Sequence, residues 1–115
     1  MSTLLNFGRD VQGYNAYAPA PATDLFKVTL AAAGNSSFTV PSNFSNWMVV
    51  FSYAGASDVW VAYGATASPP ASGTFASSTS ELNPASRAIK GGTQINVYNN
   101  GSGNIDIGVS CYAIS

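Results

Sequence analysis

The amino-acid sequence predicts an all-β fold, an antiparallel β-sandwich carrying an extended N-terminal arm. From Leu25 onward the chain runs in short β-type stretches separated by Gly, Asn, Pro and Ser turns, the spacing of a sandwich or barrel. None of these stretches needs a helix to explain it. Residues 1–24 have a different texture, with isolated aromatics Phe7, Tyr14 and Tyr17 among Gly8, Gly13, Pro19 and Pro21, and neither sustained alternation nor a helical stripe.

Taken in order, residues 1–24 read as the arm, which fully stretched spans on the order of 80 Å and so reaches beyond its own domain. Residues 25–115 read as the sandwich domain. Leu25 to Ala32 places Phe26, Val28 and Leu30 on one face, and Gly34-Asn35 supplies residues that tolerate positive φ at a turn. Ser37 to Val40 follows, stopped by Pro41. Trp47 to Tyr53 puts Trp47, Val49, Phe51 and Tyr53 on one face, while Met48 and Val50 make the other apolar too, the mark of a central strand.

Ala54 to Asp58 then turns into Val59–Tyr63, the strongest hairpin reading in the chain. Gly64 to Pro84 is a long loop of Ala, Ser, Thr, Gly and Pro with room for one short strand, and loops of this length often carry interactions. Ser86 to Ile89 is a short strand closed by Gly91-Gly92. Gln94 to Tyr98 and Ile105 to Ala113 read as a closing hairpin through Asn99-Asn100-Gly101-Ser102-Gly103. In the last strand Ile105, Ile107, Val109 and Cys111 alternate with Asp106, Gly108 and Ser110, so Cys111 reads as a buried small hydrophobe.

Composition bounds the function. The chain has 115 residues, no His, one Cys and 8% charged residues against 46% hydrophobic, so the usual instruments of acid, base and nucleophilic catalysis are scarce. Its five carboxylates, Asp10, Asp24, Asp58, Glu81 and Asp106, are scattered without a local catalytic spacing. No enzyme is expected, nor a cofactor. Zinc would need several His or Cys ligands and calcium a cluster of oxygens, and no such motif is present. A net charge of −1 supplies no basic footprint for nucleic acid. The absence of an apolar run of about 18 residues argues against a membrane span. The start lacks the features of a secretory signal, and a lone Cys111 points to a fold made without disulfides, hence to synthesis in the cytoplasm.

A domain of this length buries roughly two-thirds of its unfolded surface unaided, so one core suffices. Most aromatics are expected in that core. Trp60 opposes Val59 and Val61 and is therefore the candidate interface aromatic, with Tyr63 beside it. Arg87 and Lys90 flank a short apolar segment after Asn83-Pro84 and read as a small basic spot facing a partner. In the arm, Leu4, Leu5, Phe7, Tyr14 and Tyr17 are the candidate docking residues.

The stretch Ala56-Ser-Asp-Val-Trp-Val-Ala-Tyr-Gly-Ala-Thr-Ala, the Ser/Pro-rich loop, Glu81-Leu-Asn-Pro, Lys90-Gly-Gly-Thr-Gln-Ile and the closing Val109-Ser-Cys-Tyr-Ala-Ile together resemble small tailed-bacteriophage virion proteins of the capsid decoration or cement type. The resemblance covers roughly residues 25–115 and lies in texture and segment order. It implies a β-sandwich or jelly roll without catalytic activity or cofactor. It further implies a place on the virion capsid surface, with the major capsid protein as partner and a dimer or trimer as the working unit. The arm then docks while the sandwich bridges neighbouring subunits, since contacts spread over several subunits raise the cost of removing any one. The alternative is a tail or fibre-tip protein, or a carbohydrate-binding module, that recognises a host surface glycan through Trp60 and Tyr63.

Overall fold

Burial alternates without exception along the strand Ile105–Ala113: Ile105, Ile107, Val109, Cys111 and Ala113 are buried, and the residues between them are half-exposed. One face of this strand is therefore core and the other is surface. The structure is a computed structural model that describes residues 7–9, 15–19, 22, 24–55, 58–73, 75 and 80–114. Among the described residues there are ten strands and no helix: β1 (Phe7–Arg9), β2 (Asn15–Pro19), β3 (Asp24–Leu30), β4 (Asn35–Thr39), β5 (Asn46–Ala54), β6 (Val59–Tyr63), β7 (Glu81–Leu82), β8 (Ser86–Lys90), β9 (Gln94–Asn99) and β10 (Ile105–Ala113).

The strands β3 to β10 form two antiparallel four-stranded sheets, ordered β3-β10-β5-β8 and β4-β9-β6-β7. The pairing is nested: β3 with β10, β4 with β9, β5 with β8 and β6 with β7. β10 also pairs with β5, and β9 with β6, which completes each sheet. The inward residues of both sheets belong to one hydrophobic cluster, with Trp47, Val49 and Ile107 from the first and Val59, Val61, Ile95 and Val97 from the second all 0% exposed. Trp47 anchors it. Its indole N–H donates to the Phe44 carbonyl at 3.2 Å, and Phe44 meets its ring edge-on. Burying a side chain of this size contributes on the order of 4–6 kcal/mol at ~25 cal/mol per Å².

The core faces agree with the sequence pattern, and β5 is an inner strand of its sheet as its two apolar faces predict. The hairpins do not. β5 and β6 lie in opposite sheets, as do β9 and β10 and also β3 and β4. Both strands of each predicted hairpin carry a mainly apolar inward face, with Asn99 at the end of β9 a buried polar residue, and those faces meet across the core instead of lying side by side. At the β5–β6 corner Gly55 takes φ 137, a conformation that L side chains rarely adopt, and the chain changes sheet there. Of the connections within this eight-strand body, that from β6 to β7 is the one that stays in a single sheet.

A buried asparagine pins the β9–β10 corner. Asn99 is 0% exposed, and its side-chain amide donates to the carbonyls of Leu30, Ala31 and Gly103 at 3.2, 3.0 and 2.8 Å while its oxygen accepts from the Gly101 amide at 2.9 Å. One side chain thus ties the β3–β4 turn to the β9–β10 turn. At the β8–β9 turn, a Cβ on Gly91 would collide with the Phe44 carbonyl oxygen, so the close approach of that loop requires glycine.

Preceding β3, β1 and β2 pair antiparallel with an irregularity between Phe7 and Arg9. The sequence shows no sustained alternation here, so the pairing of β1 with β2 was not legible in it.

Candidate functional site

The core-facing rows of the two sheets end in ionisable residues. Cross-strand register places Asp24, Cys111, Val49 and Arg87 in one row of the first sheet, running from edge strand β3 to edge strand β8. In the second sheet Val97, Val61 and Glu81 form a row that ends on edge strand β7. Asp24 and Arg87 therefore lie at opposite sides of the body, and Glu81 lies at the same side as Arg87.

At the β7/β8 side the charges are matched. Arg87 Nε donates to Glu81 Oε1 at 2.9 Å and Nη2 to Oε2 at 2.9 Å, a two-pronged contact, and Nη1 donates to the Ser86 carbonyl at 2.6 Å. The pair joins the edge of one sheet to the edge of the other. Tyr53 from β5 donates its hydroxyl to the Pro84 carbonyl at 2.7 Å beneath the same turn. Tyr63 from β6 buries its hydroxyl beside Glu81, close enough to feel the carboxylate but outside hydrogen-bonding geometry. The Arg87 guanidinium holds Glu81 below the usual carboxylate range. Burial first, then the Glu81 charge, drives the Tyr63 phenol upward; burial also raises Tyr53. Both phenols stay protonated at neutral pH, so the cluster is a clasp of donors and one ion pair.

On the outer face of the second sheet Trp60 sits directly opposite Tyr98 on β9 and Leu82 on β7. The Trp60 indole N–H is buried and meets no hydrogen-bond partner among the described residues. Beside this row the segment after β6 folds back over the sheet: Asn96 donates to the Ala65 carbonyl at 2.6 Å, the Ser68 amide donates to the Ser80 hydroxyl at 3.0 Å, and Ala67 and Ser80 are buried.

No family model, curated protein or solved structure matches this chain.

The predicted interface residues divide among these features. Trp60 faces outward as expected from its opposition to Val59 and Val61, which are both 0% exposed. Tyr63 points to the other face of β6, toward Glu81, so Trp60 and Tyr63 do not form one platform; Tyr98 takes that place. Arg87 and Lys90 lie on opposite faces of β8, because three residues along a strand reverse the side. The single basic spot is thereby split, with Arg87 held by Glu81 and Lys90 exposed opposite Asn46. Leu4, Leu5 and Tyr14 lie outside the described residues; Phe7 and Tyr17 fall on β1 and β2, with their side chains outside the description.

The sequence pattern places Glu81 in the long loop and Asp24 in the arm and marks neither as part of a site. A signal for Glu81 existed, since Asn83-Pro84 is a turn that brings residues 81 and 87 back toward each other. For Asp24 the signal was its position two residues before Phe26, in phase with the inward face of β3.

Proposed function

We propose that the body is a jelly roll and that the protein is a non-enzymatic virion structural protein of the capsid decoration type, bridging neighbouring major capsid protein subunits. The observation that carries this reading is the nested pairing of β3 with β10, β4 with β9, β5 with β8 and β6 with β7. A long folded ribbon paired in that order and wrapped on itself produces two four-stranded sheets from two Greek keys, the jelly-roll arrangement found in viral capsid and lectin domains. Fold does not imply function, so the segment-level likeness to tailed-phage virion proteins supplies the second support. A clasp that closes one side of the body suits a rigid bridging part. In this reading β1, β2 and the residues around them are the arm that reaches a neighbouring subunit, and the working unit is a dimer or trimer assembled on the capsid surface.

Immunogold labelling of phage particles, with antibody raised to the purified protein, tests the location. Label over the whole head is the expected result. Label confined to the tail end, or absent from particles, overturns the proposal. Deleting residues 1–20 tests the arm: loss of head binding with an unchanged circular dichroism spectrum is expected, and normal binding removes the arm from the mechanism.

The outer row of Trp60 and Tyr98 favours a second reading, recognition of a host surface glycan, because two aromatic residues directly opposite each other on one sheet face offer apolar surface on which a sugar ring can lie. Saturable quenching of Trp fluorescence by host surface polysaccharide, lost in Trp60→Ala, supports it over head decoration.

A further inference from the structure

At the β3/β4 side the two sheets leave a cavity of about 200 Å³ at the end of the core. Its walls are mainly apolar: Leu25, Phe26, Phe38, Val40, Pro41 and Cys111 line it together with Thr39. Phe26 from β3 and Phe38 from β4 stack across the sheets with ring centroids 4.6 Å apart. The ionisable acid in this lining is Asp24, which stands on the core-facing side of β3 directly opposite Cys111. Its Oδ2 is buried and meets no hydrogen-bond donor among the described residues.

A buried acceptor left without a donor is costly, and more so when it carries charge. The nearest cation along the strand, Lys27, projects from the opposite face of β3 and does not satisfy it. Burial, reinforced by the Asp24 charge, pushes the Cys111 thiol up to about 11 and keeps it protonated, yet this weak donor makes no hydrogen bond to the buried Oδ2. A metal ion needs several converging oxygens, and among the described residues this cavity has one carboxylate. A planar guanidinium asks for two aligned oxygens, whereas one accepting oxygen suits the compact ammonium head. With room for roughly six water-sized groups at ~30 Å³ each, the cavity holds such a head on a short apolar chain.

We infer that the cavity between β3 and β4 is a binding site for a primary ammonium group on a short aliphatic chain, with Asp24 receiving the head and Phe26, Phe38 and Val40 flanking the chain. Such a group is carried by a free alkylamine or by a lysine side chain of a bound protein. The inference stands on the cavity alone and does not depend on the capsid reading.

The test is an NMR titration of the full chain with n-butylammonium, against 1-butanol and butyrate at the same concentrations. Saturable shifts at Asp24, Phe26, Phe38 and Val40 with butylammonium, much weaker with the two controls, are expected. Asp24→Asn, folded by its backbone spectrum, should weaken binding by about tenfold or more. Equal shifts from 1-butanol, shifts centred elsewhere, or unchanged affinity in Asp24→Asn overturn the inference. Cys111 gives a reading that needs no variant: butylammonium, and not 1-butanol, should slow its modification by methyl methanethiosulfonate, and failure to protect counts against the site. Blocked lysine amide distinguishes the sources. Binding as tight as butylammonium assigns the site to a peptide-borne lysine, and binding of butylammonium alone assigns it to a free amine.

Discussion

At the β7/β8 side of the body the core-facing ionisable residue, Arg87, is gripped by Glu81 from the other sheet, with Tyr53 and Tyr63 packed beneath; at the β3/β4 side Asp24, in the same cross-strand row, faces a cavity and finds no donor for its buried oxygen. Both sides use the same placement, an ionisable residue where an inward row reaches an edge strand. They differ in whether the opposite sheet supplies the counter-charge. β7 supplies Glu81, whereas β4 and the residue that follows it supply Phe38 and Val40 around Asp24. A satisfied pair is structure, and an unsatisfied acceptor beside an apolar cavity is capacity to bind. The β3/β4 side is also divided within itself, because Asn99 pins its far end with three donated hydrogen bonds while the Asp24 end stays open.

Removing that pin should have the largest effect. Asn99→Ala leaves the Leu30, Ala31 and Gly103 carbonyls without their shared donor and is expected to lower unfolding free energy by about 3 kcal/mol in urea denaturation. A loss below about 1 kcal/mol would mean that backbone pairing alone holds this end.

The open end should respond with the opposite sign. Asp24→Leu replaces an unpartnered buried oxygen with apolar surface and is expected to raise stability by about 1–2 kcal/mol. A destabilised variant would show that Asp24 is already satisfied and would remove the contrast between the two sides.

At the clasp, Tyr53→Phe should cost about 1 kcal/mol at neutral pH through loss of the bond to the Pro84 carbonyl. The folded phenol is raised above its ordinary value of 10.0, so its contribution is whole below pH 10 and is lost as pH rises further. Wild type should therefore lose stability above pH 10 more steeply than Tyr53→Phe, as alkaline urea midpoints will report.

The smallest change is expected from Arg87→Met, whose ion pair is substantially exposed and screened by solvent. Its signature is the pH dependence. Glu81 is lowered from 4.5 by Arg87, so the pair contributes above that value and is lost as pH falls through the lower folded one. The gap in urea midpoint between wild type and Arg87→Met should be present at pH 7 and shrink on acidification below pH 4.5. A gap independent of pH would assign Arg87 a packing role.

Much of the site was hidden for a reason of distance. Trp60 could be placed outward from its two neighbours, because alternation is local. Arg87 and Lys90 are neighbours in sequence but not on one face, because residues three apart in a strand point opposite ways. Asp24 and Arg87 share a row only through Cys111 and Val49, which come from two other strands.

The same division holds for the fold. Alternation along β5, β6, β9 and β10 was enough to name the class, those four strands and their apolar core-facing residues, because burial of one strand face needs nothing but a period of two. Which sheet each strand joins could not be read that way. A Gly- or Asn-rich link between two half-apolar strands serves equally to fold them side by side or to carry the chain across the core, and the turn chemistry is the same in both. The choice is made by pairings between residues far apart in the chain, β3 with β10 and β4 with β9, whose free energy exists only once both partners are in place.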